Sequence, residues 1–196
     1  MIALLKGRLV HKDPTHLIVD VNGVGYQLTI SLQTYAAIKD QEAVQLFTHL
    51  AIREDAHVLY GFSSETEKRL FQLLITVNGV GPNTAIVMLS YMNTPELKSA
   101  ILREDVATLQ SIKGIGAKTA QRVIIDLKDK LRKEGSEESS HVSSDPHNML
   151  RREALTALLT LGLPKPVAEK SVDAVLKKSG ITITLEDLVK QALKNA

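Results

Sequence analysis

The spacing of hydrophobic and polar residues changes its period near residue 63. Before that point, short runs rich in β-branched and aromatic residues indicate strands, and HLIVDVNGVGYQLTI holds two of them around Asn22-Gly23. Asn-Gly between two such runs is the strongest short-range signal of a β-hairpin. The runs AVQLFTHLAI and HVLYGF bring the total to about five strands, and closure into a small barrel would remove their exposed edges. The pattern therefore predicts a β-barrel over residues 1–63.

A period of 3.6 residues, typical of helices, begins at about residue 64. The segment SSETEKRLFQLLITV starts with Ser and Thr ahead of Glu residues, as a helix N-terminus does, and continues with apolar residues at helical spacing. It is followed by VNGVGPNTAIVMLS, which aligns with IKGIGAKTAQRVII at an offset of 35 residues, from Gly79 to Gly114. An internal repeat of this kind indicates one supersecondary unit used twice. We predict an all-α domain over residues 64–133.

The repeated unit is a helix, a tight turn with one apolar residue between two glycines, and a second helix. Glycine permits positive φ and a close approach of another backbone. Such a turn directs the amide groups of a helix N-terminus outward, where they can bind a phosphate oxygen without reading a base. The nearby basic residues Lys113, Lys118 and Arg122 favour a DNA backbone as the ligand, although two purely structural turns remain an alternative.

Glycine motifs of this kind also occur in β-turns and in nucleotide-binding loops. NGVG at residues 22–25 continues as an alternating strand and predicts a plain β-turn. KGIGAKTA has Ala117 where a nucleotide-binding P-loop needs glycine before its lysine, and Thr119 where a dinucleotide-binding fingerprint needs its third glycine. We therefore expect neither ATP nor NAD to bind, and no cofactor.

Charge and composition add to this division of the chain into a barrel and a helical domain. Residues 63–133 hold 11 Lys and Arg against 7 Asp and Glu, which favours an anion-binding surface there, although a solvated helical face would give the same excess. The segment EGSEESSHVSSDPH has a single apolar residue and predicts a flexible linker over 134–147. The chain has no cysteine, which excludes disulfides and thiolate metal sites. Its apolar runs are too short for a membrane span, so we expect a cytoplasmic protein.

Residues 148–196 predict three short helices, in NMLRREALTALLTLG, PKPVAEKSVDAVLKK and TLEDLVKQALKNA. Gly162 and Pro164 would end the first of them. The predicted core consists of Leu155, Leu158, Val167, Val175, Leu185, Leu188 and Leu193. The apolar residues left over, Leu161, Leu163 and Val172, are expected to be exposed and are candidates for docking a partner protein.

In order along the chain, MIALLKGRL, VNGVGY, FTHLAIREDAHVLYGF, TVNGVGPNTA and KGIGAKTAQRVIIDLKDK resemble the bacterial RuvA family over essentially all 196 residues. The resemblance implies a multi-domain α+β chain: an OB-fold barrel, a tandem helix-hairpin-helix domain, a flexible linker and a three-helix, UBA-like domain. It also implies a non-catalytic homotetramer, one or two of which hold a Holliday junction open as a flat cross. The C-terminal domain would recruit RuvB, a hexameric ATPase that drives branch migration, and the complex would work with the RuvC resolvase.

The resemblance also assigns residues to the DNA interface. The hairpins are residues 78–82 and 113–117, and the DNA-binding positions are Asn78, Gly79, Val80, Gly81, Asn83, Lys113, Gly114, Ile115, Gly116, Lys118, Thr119 and Arg122. Asn83 and Ala117 occupy positions where many relatives have lysine. Since each neutralised phosphate contributes roughly −0.9 to the slope of log K against log salt, we expect a shallower salt dependence in this chain.

Glu54 and Asp55 lie between two strand-like runs and predict the tip of a hairpin. From the residues alone, an ordinary solvated turn is favoured, whereas the resemblance implies an acidic pin at the centre of the junction. Two rival functions are a metal-dependent nuclease, with these carboxylates as Mg²⁺ ligands, and another helix-hairpin-helix DNA repair protein. The six histidines show no metal-binding spacing, so we expect no metal site.

Overall fold

The structure, a computed structural model, describes residues 1–139, 146–179 and 183–195. The chain divides into two units, Met1–Glu134 and Gly135–Ala196. Helix α6, Ala117–Ser139, crosses the boundary between the units, and helix α7, Pro146–Thr160, belongs to the second. Helices therefore continue into both ends of the predicted linker, 134–147. Residues 140–145 lie outside the described residues, and the linker's flexibility stays a prediction.

Within residues 1–139, five strands form a closed barrel in the order β1-β2-β3-β5-β4, as predicted. The strands are β1 Leu4–Lys12, β2 His16–Val21, β3 Val24–Ile30, β4 Ala43–Ile52 and β5 His57–Phe62. β3 and β5 pair in parallel, and the other neighbours are antiparallel. Asn22 and Gly23 both have positive φ, 51° and 89°, as the predicted β2–β3 hairpin turn requires. Helix α1, Leu32–Ala37, was not predicted.

The barrel is filled by aliphatic side chains that alternate along each strand. The buried members from the strands are Leu5, Leu17, Val19, Leu28, Ile30, Val44, Leu46 and Leu59, and Ile38 joins them from the end of α1. Gly61 lets β5 approach β3 closely, because a Cβ at this position would lie 2.8 Å from Cδ2 of Leu28. The strand pattern predicted from alternation therefore corresponds to one continuous core.

Between residues 64 and 139, five helices form the tandem domain that the repeat predicted. They are α2 Glu65–Leu74, α3 Pro82–Tyr91, α4 Thr94–Leu102, α5 Val106–Gln110 and α6 Ala117–Ser139. The Ser64 side chain caps α2 by accepting from the Glu67 N–H. Asn93 and Glu96 form a reciprocal capping box at the start of α4. These caps explain why the helices begin where they do.

Strand β5 connects the barrel to the helices, because its two faces belong to different cores. Leu59 points into the barrel, whereas Tyr60 and Phe62 pack on Phe71 of α2, with ring centroids 5.1 Å and 4.9 Å away. All three of these aromatic side chains are buried. The barrel and the tandem helices of the first unit are therefore held in one arrangement.

A buried carboxylate reinforces this connection. Glu67 is only 3% exposed, and its carboxylate accepts hydrogen bonds from the hydroxyls of Ser31, Thr34 and Ser63. Ser31 and Thr34 lie at the start of α1 and Glu67 lies on α2, so the network joins the barrel side of the unit to the helical side. A buried carboxylate that keeps its hydrogen bonds avoids much of the cost of leaving water.

Residues 146–179 and 183–195 hold three helices, α7 Pro146–Thr160, α8 Lys165–Ser179 and α9 Leu185–Lys194, as predicted. Their buried core is Ala154, Leu158, Ala168, Val172, Val175, Leu176, Leu188 and Ala192. Three residues predicted for this core, Val167, Leu185 and Leu193, are more than a third exposed, and that part of the prediction is wrong. Alanines fill the close helix contacts instead. None of the described helices combines the length and the apolar composition that crossing a membrane requires.

Candidate nucleic-acid interface

The two copies of the repeat fold alike, residue for residue, at their turns. Gly79 and Gly114 have φ of 92° and 90°, in the left-handed region that favours glycine. In each copy the apolar residue of the turn donates its N–H to the carbonyl three residues earlier, Val80 to Val77 and Ile115 to Ile112, both at 3.0 Å. Val80 and Ile115 are buried, 4% and 5% exposed. The predicted anchoring of each turn is therefore confirmed.

A helix starts directly after each turn. The first i to i+4 bonds run from Ala85 N–H to the Gly81 carbonyl and from Ala120 N–H to the Gly116 carbonyl, both 2.9 Å. Gly81 is the N-cap of α3 and provides no side-chain cap. A helix cannot supply partners for the amides of its own first turn. Each copy therefore presents first-turn N–H groups at the positive end of a helix dipole, an arrangement suited to an anion.

The glycine faces of both turns are open. A Cβ built on Gly81, Gly114 or Gly116 would meet no protein atom within 4 Å, and one on Gly79 would come no closer than 3.9 Å, to Oγ1 of Thr119. Packing within the chain therefore does not demand a glycine at 81 or 116. A close approach by another molecule would give these positions a reason to be glycine. The contact with Thr119 also places the first turn beside the helix that follows the second.

Basic side chains surround the second turn. Lys113, Lys118 and Arg122 are all exposed, and Arg122 lies one helical turn beyond Lys118 on α6. Farther along, Lys128 pairs with Glu104, so this cation already has a carboxylate partner. The structure thus brings the predicted cations together at the start of α6.

Asn83, a predicted DNA-binding position, also makes a hydrogen bond within the chain. Its Oδ1 accepts a hydrogen bond from the Tyr60 hydroxyl at 3.0 Å, which ties the start of α3 to strand β5. Burial raises the pKa of Tyr60 above its usual value of 10.0. A lysine at position 83 would offer Tyr60 no acceptor. No local pattern indicates a bond between residues 23 positions apart.

The acidic pair Glu54–Asp55 lies at the tip of the β4–β5 hairpin, as predicted. Ile52 and His57 form the last strand pair, and Arg53 N–H donates to the Ala56 carbonyl at 2.9 Å to close the turn. Both acidic side chains are exposed. Within the described residues, no group of three His, Asp or Glu side chains could hold a metal ion.

The candidate docking residues of the C-terminal unit differ in their solvent exposure. Leu161 is 60% exposed, and Leu163 is partly buried against the core. Val172 is fully buried, because α8 turns it towards α7 and α9, and its predicted exposure is wrong. Met149 and Leu159, which sequence reasoning missed, are exposed on α7.

Comparison with known proteins covers nearly the whole chain. Residues 1–61 match the family described as RuvA N terminal domain, residues 71–129 match SAM-like Helix-hairpin-helix tandem, and residues 150–196 match RuvA, C-terminal domain. A protein of Cytophaga hutchinsonii is 54% identical over 198 aligned residues, 99% of either chain. Proteins of Christiangramia forsetii and Flavobacterium psychrophilum are 49% and 48% identical, over at least 99% of either chain. Each of the three is named "Holliday junction branch migration complex subunit RuvA". The match extends through the barrel, the tandem hairpins and the C-terminal helices in one order, and the chain belongs to the RuvA family.

Proposed function

We propose that this chain binds Holliday junction DNA and serves as the non-catalytic subunit of a branch migration complex. The observation that carries the proposal is the duplicated turn, which presents two matching sets of first-turn amides beneath open glycine faces. The names of the relatives support the same function. A pair of phosphate sites without a base-reading helix suits a ligand that is recognised by shape rather than by sequence.

The hairpins would supply affinity. The first-turn N–H groups after Gly81 and after Gly116 would each donate to one phosphate, and Lys113, Lys118 and Arg122 would add positive charge around the second site. Ten of the twelve hairpin positions named from the sequence would form this surface, and the buried Val80 and Ile115 would hold the two turns from the core. Because Asn83 is engaged by Tyr60, the first site would rely on backbone amides more than on side-chain charge.

The acidic pin, Glu54 and Asp55, would supply structural specificity. At about 7 Å, one carboxylate and one phosphate repel each other by roughly 0.6 kcal/mol in water and about 2.4 kcal/mol at an effective dielectric constant of 20. Several such pairs at a junction centre keep strands apart and prevent a continuous duplex from seating there. A turn that projects its carboxylates from a strand end is well placed for this role.

Function at a four-way junction calls for four copies, and an apolar surface supports self-association. Leu32 and Val87 line one groove of about 430 Å³ between α1 and α3 and are 47% and 42% exposed. Tyr91, one turn beyond Val87, is exposed as well. We propose that this surface contributes to a homotetramer, one or two of which would bind each junction.

The C-terminal unit would recruit the motor. Leu161, Leu159 and Met149 are exposed apolar side chains from which a RuvB-binding surface can be built, whereas Leu163 and Val172 serve its own core. RuvB would hydrolyse ATP, and RuvC would cleave the junction. A cytoplasmic location follows from these partners and from the DNA.

The test is a gel-shift comparison of a four-way junction with a duplex of the same arm sequence, in EDTA and in Mg²⁺. We expect tight binding to the junction without cleavage, and reduced preference for the junction in the double variant Glu54→Gln/Asp55→Asn. Equal affinity for the two DNAs would contradict the proposal. Mg²⁺-dependent cutting that disappears in the double variant would support a nuclease instead.

A further inference from the structure

A pocket of about 520 Å³ opens beside the acidic pin, between the barrel and the start of α3. Its floor crosses three strands in one row, since His16 pairs with Thr29 and Thr29 pairs with Tyr60. Asp55 of the pin and Asn83 of the first hairpin helix both contribute to its wall. The pocket therefore lies between the two features that the proposed function places on DNA.

The size of this pocket suits a single nucleotide. Sites for small molecules measure roughly 300–1,000 Å³, whereas a duplex needs an open groove or surface. The floor is closed by barrel strands, and Tyr60 at its base is buried. A pocket of this volume can hold one unpaired nucleotide but not a duplex.

The polar lining favours a base over a phosphate. Arg53, His57 and Gln27 offer hydrogen-bond donors, and the Gln27 amide and the Asp55 carboxylate offer acceptors. A phosphodiester could pair with Arg53, but it has no donor for Asp55, whose charge would repel it. The edge of an unpaired base carries both donors and acceptors and can satisfy both kinds of group.

We propose that this pocket receives one unpaired nucleobase from the strand that crosses the junction next to the pin. The proposal rests on the proposed junction binding and adds a site for the bases that the pin separates. A base that leaves its partner loses stacking and pairing. A pocket that restores its hydrogen bonds lowers the cost of the open intermediate through which each step of branch migration passes.

The absence of cysteine from the chain makes a site-specific test possible. Gln27, exposed on β3 at the edge of the pocket, is changed to Cys, and Gln45, exposed on β4 and outside the pocket lining, is changed to Cys as the matched control. Each full-length variant is mixed with four-way junctions that carry one disulfide-activated thiol tether. The tether is placed on a base at the crossover, on the phosphate at the same step, or on a base one helical turn out along an arm.

We expect Gln27→Cys to form a cross-link to the crossover base about tenfold faster than Gln45→Cys does, because a bound base brings its tether to a high effective concentration. The arm base should react no faster than the control. Equal rates for the two cysteines, or fast reaction of the phosphate tether alone, would overturn the base pocket. A gel shift on the same samples separates the two proposals: loss of junction binding by the unmodified chain contradicts the proposed function, whereas normal binding without cross-linking contradicts only the pocket.

Discussion

Replacement of Gly81 and Gly116 by alanine should weaken junction binding while leaving the fold nearly as stable as before. A Cβ at either position would meet no protein atom within 4 Å, so no atom of the chain has to move. Gly81 has φ −82° and ψ 169°, a conformation that alanine adopts readily. The new methyl groups would instead occupy the space over the first-turn amides where the proposed phosphates bind.

Two effects on stability oppose each other in these variants. Alanine reduces the conformational entropy of the unfolded chain, which stabilises by about 0.4–1 kcal/mol. Alanine is also a poorer N-cap than glycine, at a cost of roughly 0.5–1 kcal/mol for α3. The net change in the free energy of unfolding should stay within about 1 kcal/mol, or within about 4 °C in Tm. A lost hydrogen bond to a charged phosphate costs about 1.5–3 kcal/mol, so each variant should lose roughly tenfold to a hundredfold in junction affinity.

The assay pairs thermal unfolding with titration of a labelled four-way junction at one fixed salt concentration. Gly79→Ala is the comparison for the unfolding measurement alone, because the φ of 92° at Gly79 makes an alanine strained whatever space surrounds it. It should lower Tm, by the equivalent of about 1–2 kcal/mol. Unchanged junction affinity in stable Gly81→Ala and Gly116→Ala variants would refute the claim that these glycine faces receive phosphates.

Three further predictions concern side chains elsewhere in the first unit. Glu67→Ala should cost about 3 kcal/mol of stability by leaving the hydroxyls of Ser31 and Thr34 without their acceptor, and Glu67→Gln should cost less, as urea unfolding would measure. Burial, and then the charge of Lys68, lowers the pKa of His49 below its usual 6.5, so the folded state binds fewer protons. The stability from this difference is present above pH 6.5 and is lost as the pH falls below it, so His49→Phe should reduce the fall in the free energy of unfolding between pH 7.5 and 5.5. Asn83→Lys should steepen the slope of log K against log salt by roughly 0.9, because the lysine would neutralise one more phosphate. It should also lower the free energy of unfolding by about 1 kcal/mol, because the Tyr60 hydroxyl loses its acceptor. An unchanged slope would count against a phosphate near position 83.

Short sequence motifs correctly predicted the turns and helices whose conformation depends mainly on neighbouring residues. The Asn22-Gly23 turn and the doubled glycine turns require positive φ, so their sequence reports their conformation directly. Helix α1, Leu32–Ala37, was not predicted because it is too short for its apolar residues to repeat at helical spacing. The correct strand and helix assignments therefore rested on turns that require positive φ and on apolar residues that repeat at regular spacing over a long segment.

Contacts between distant residues could not be predicted in the same way. In α8 the small Ala168 faces the core and the larger Val167 lies at its edge, so a choice by side-chain size alone selects the wrong residue. Val172 belongs to the same buried face as Ala168, which explains why its expected exposure was wrong. The Tyr60–Asn83 bond depends on how β5 packs against the tandem helices, which no single segment encodes.

That packing also explains how repulsion at the pin can be converted into specificity for a junction. β5 begins at His57, immediately after the pin turn, and three residues later Tyr60 is held by Phe71 and Asn83. A pin on a loose loop would bend away from an approaching duplex, and the repulsion would then cost little. Because β5 is buried from Leu59 to Phe62, the strand that follows the pin is held firmly, and we expect the pin to keep its position relative to the hairpins while they bind backbone phosphates. DNA can satisfy the hairpins and avoid the pin together only if its strands separate there, as they do at a four-way crossing.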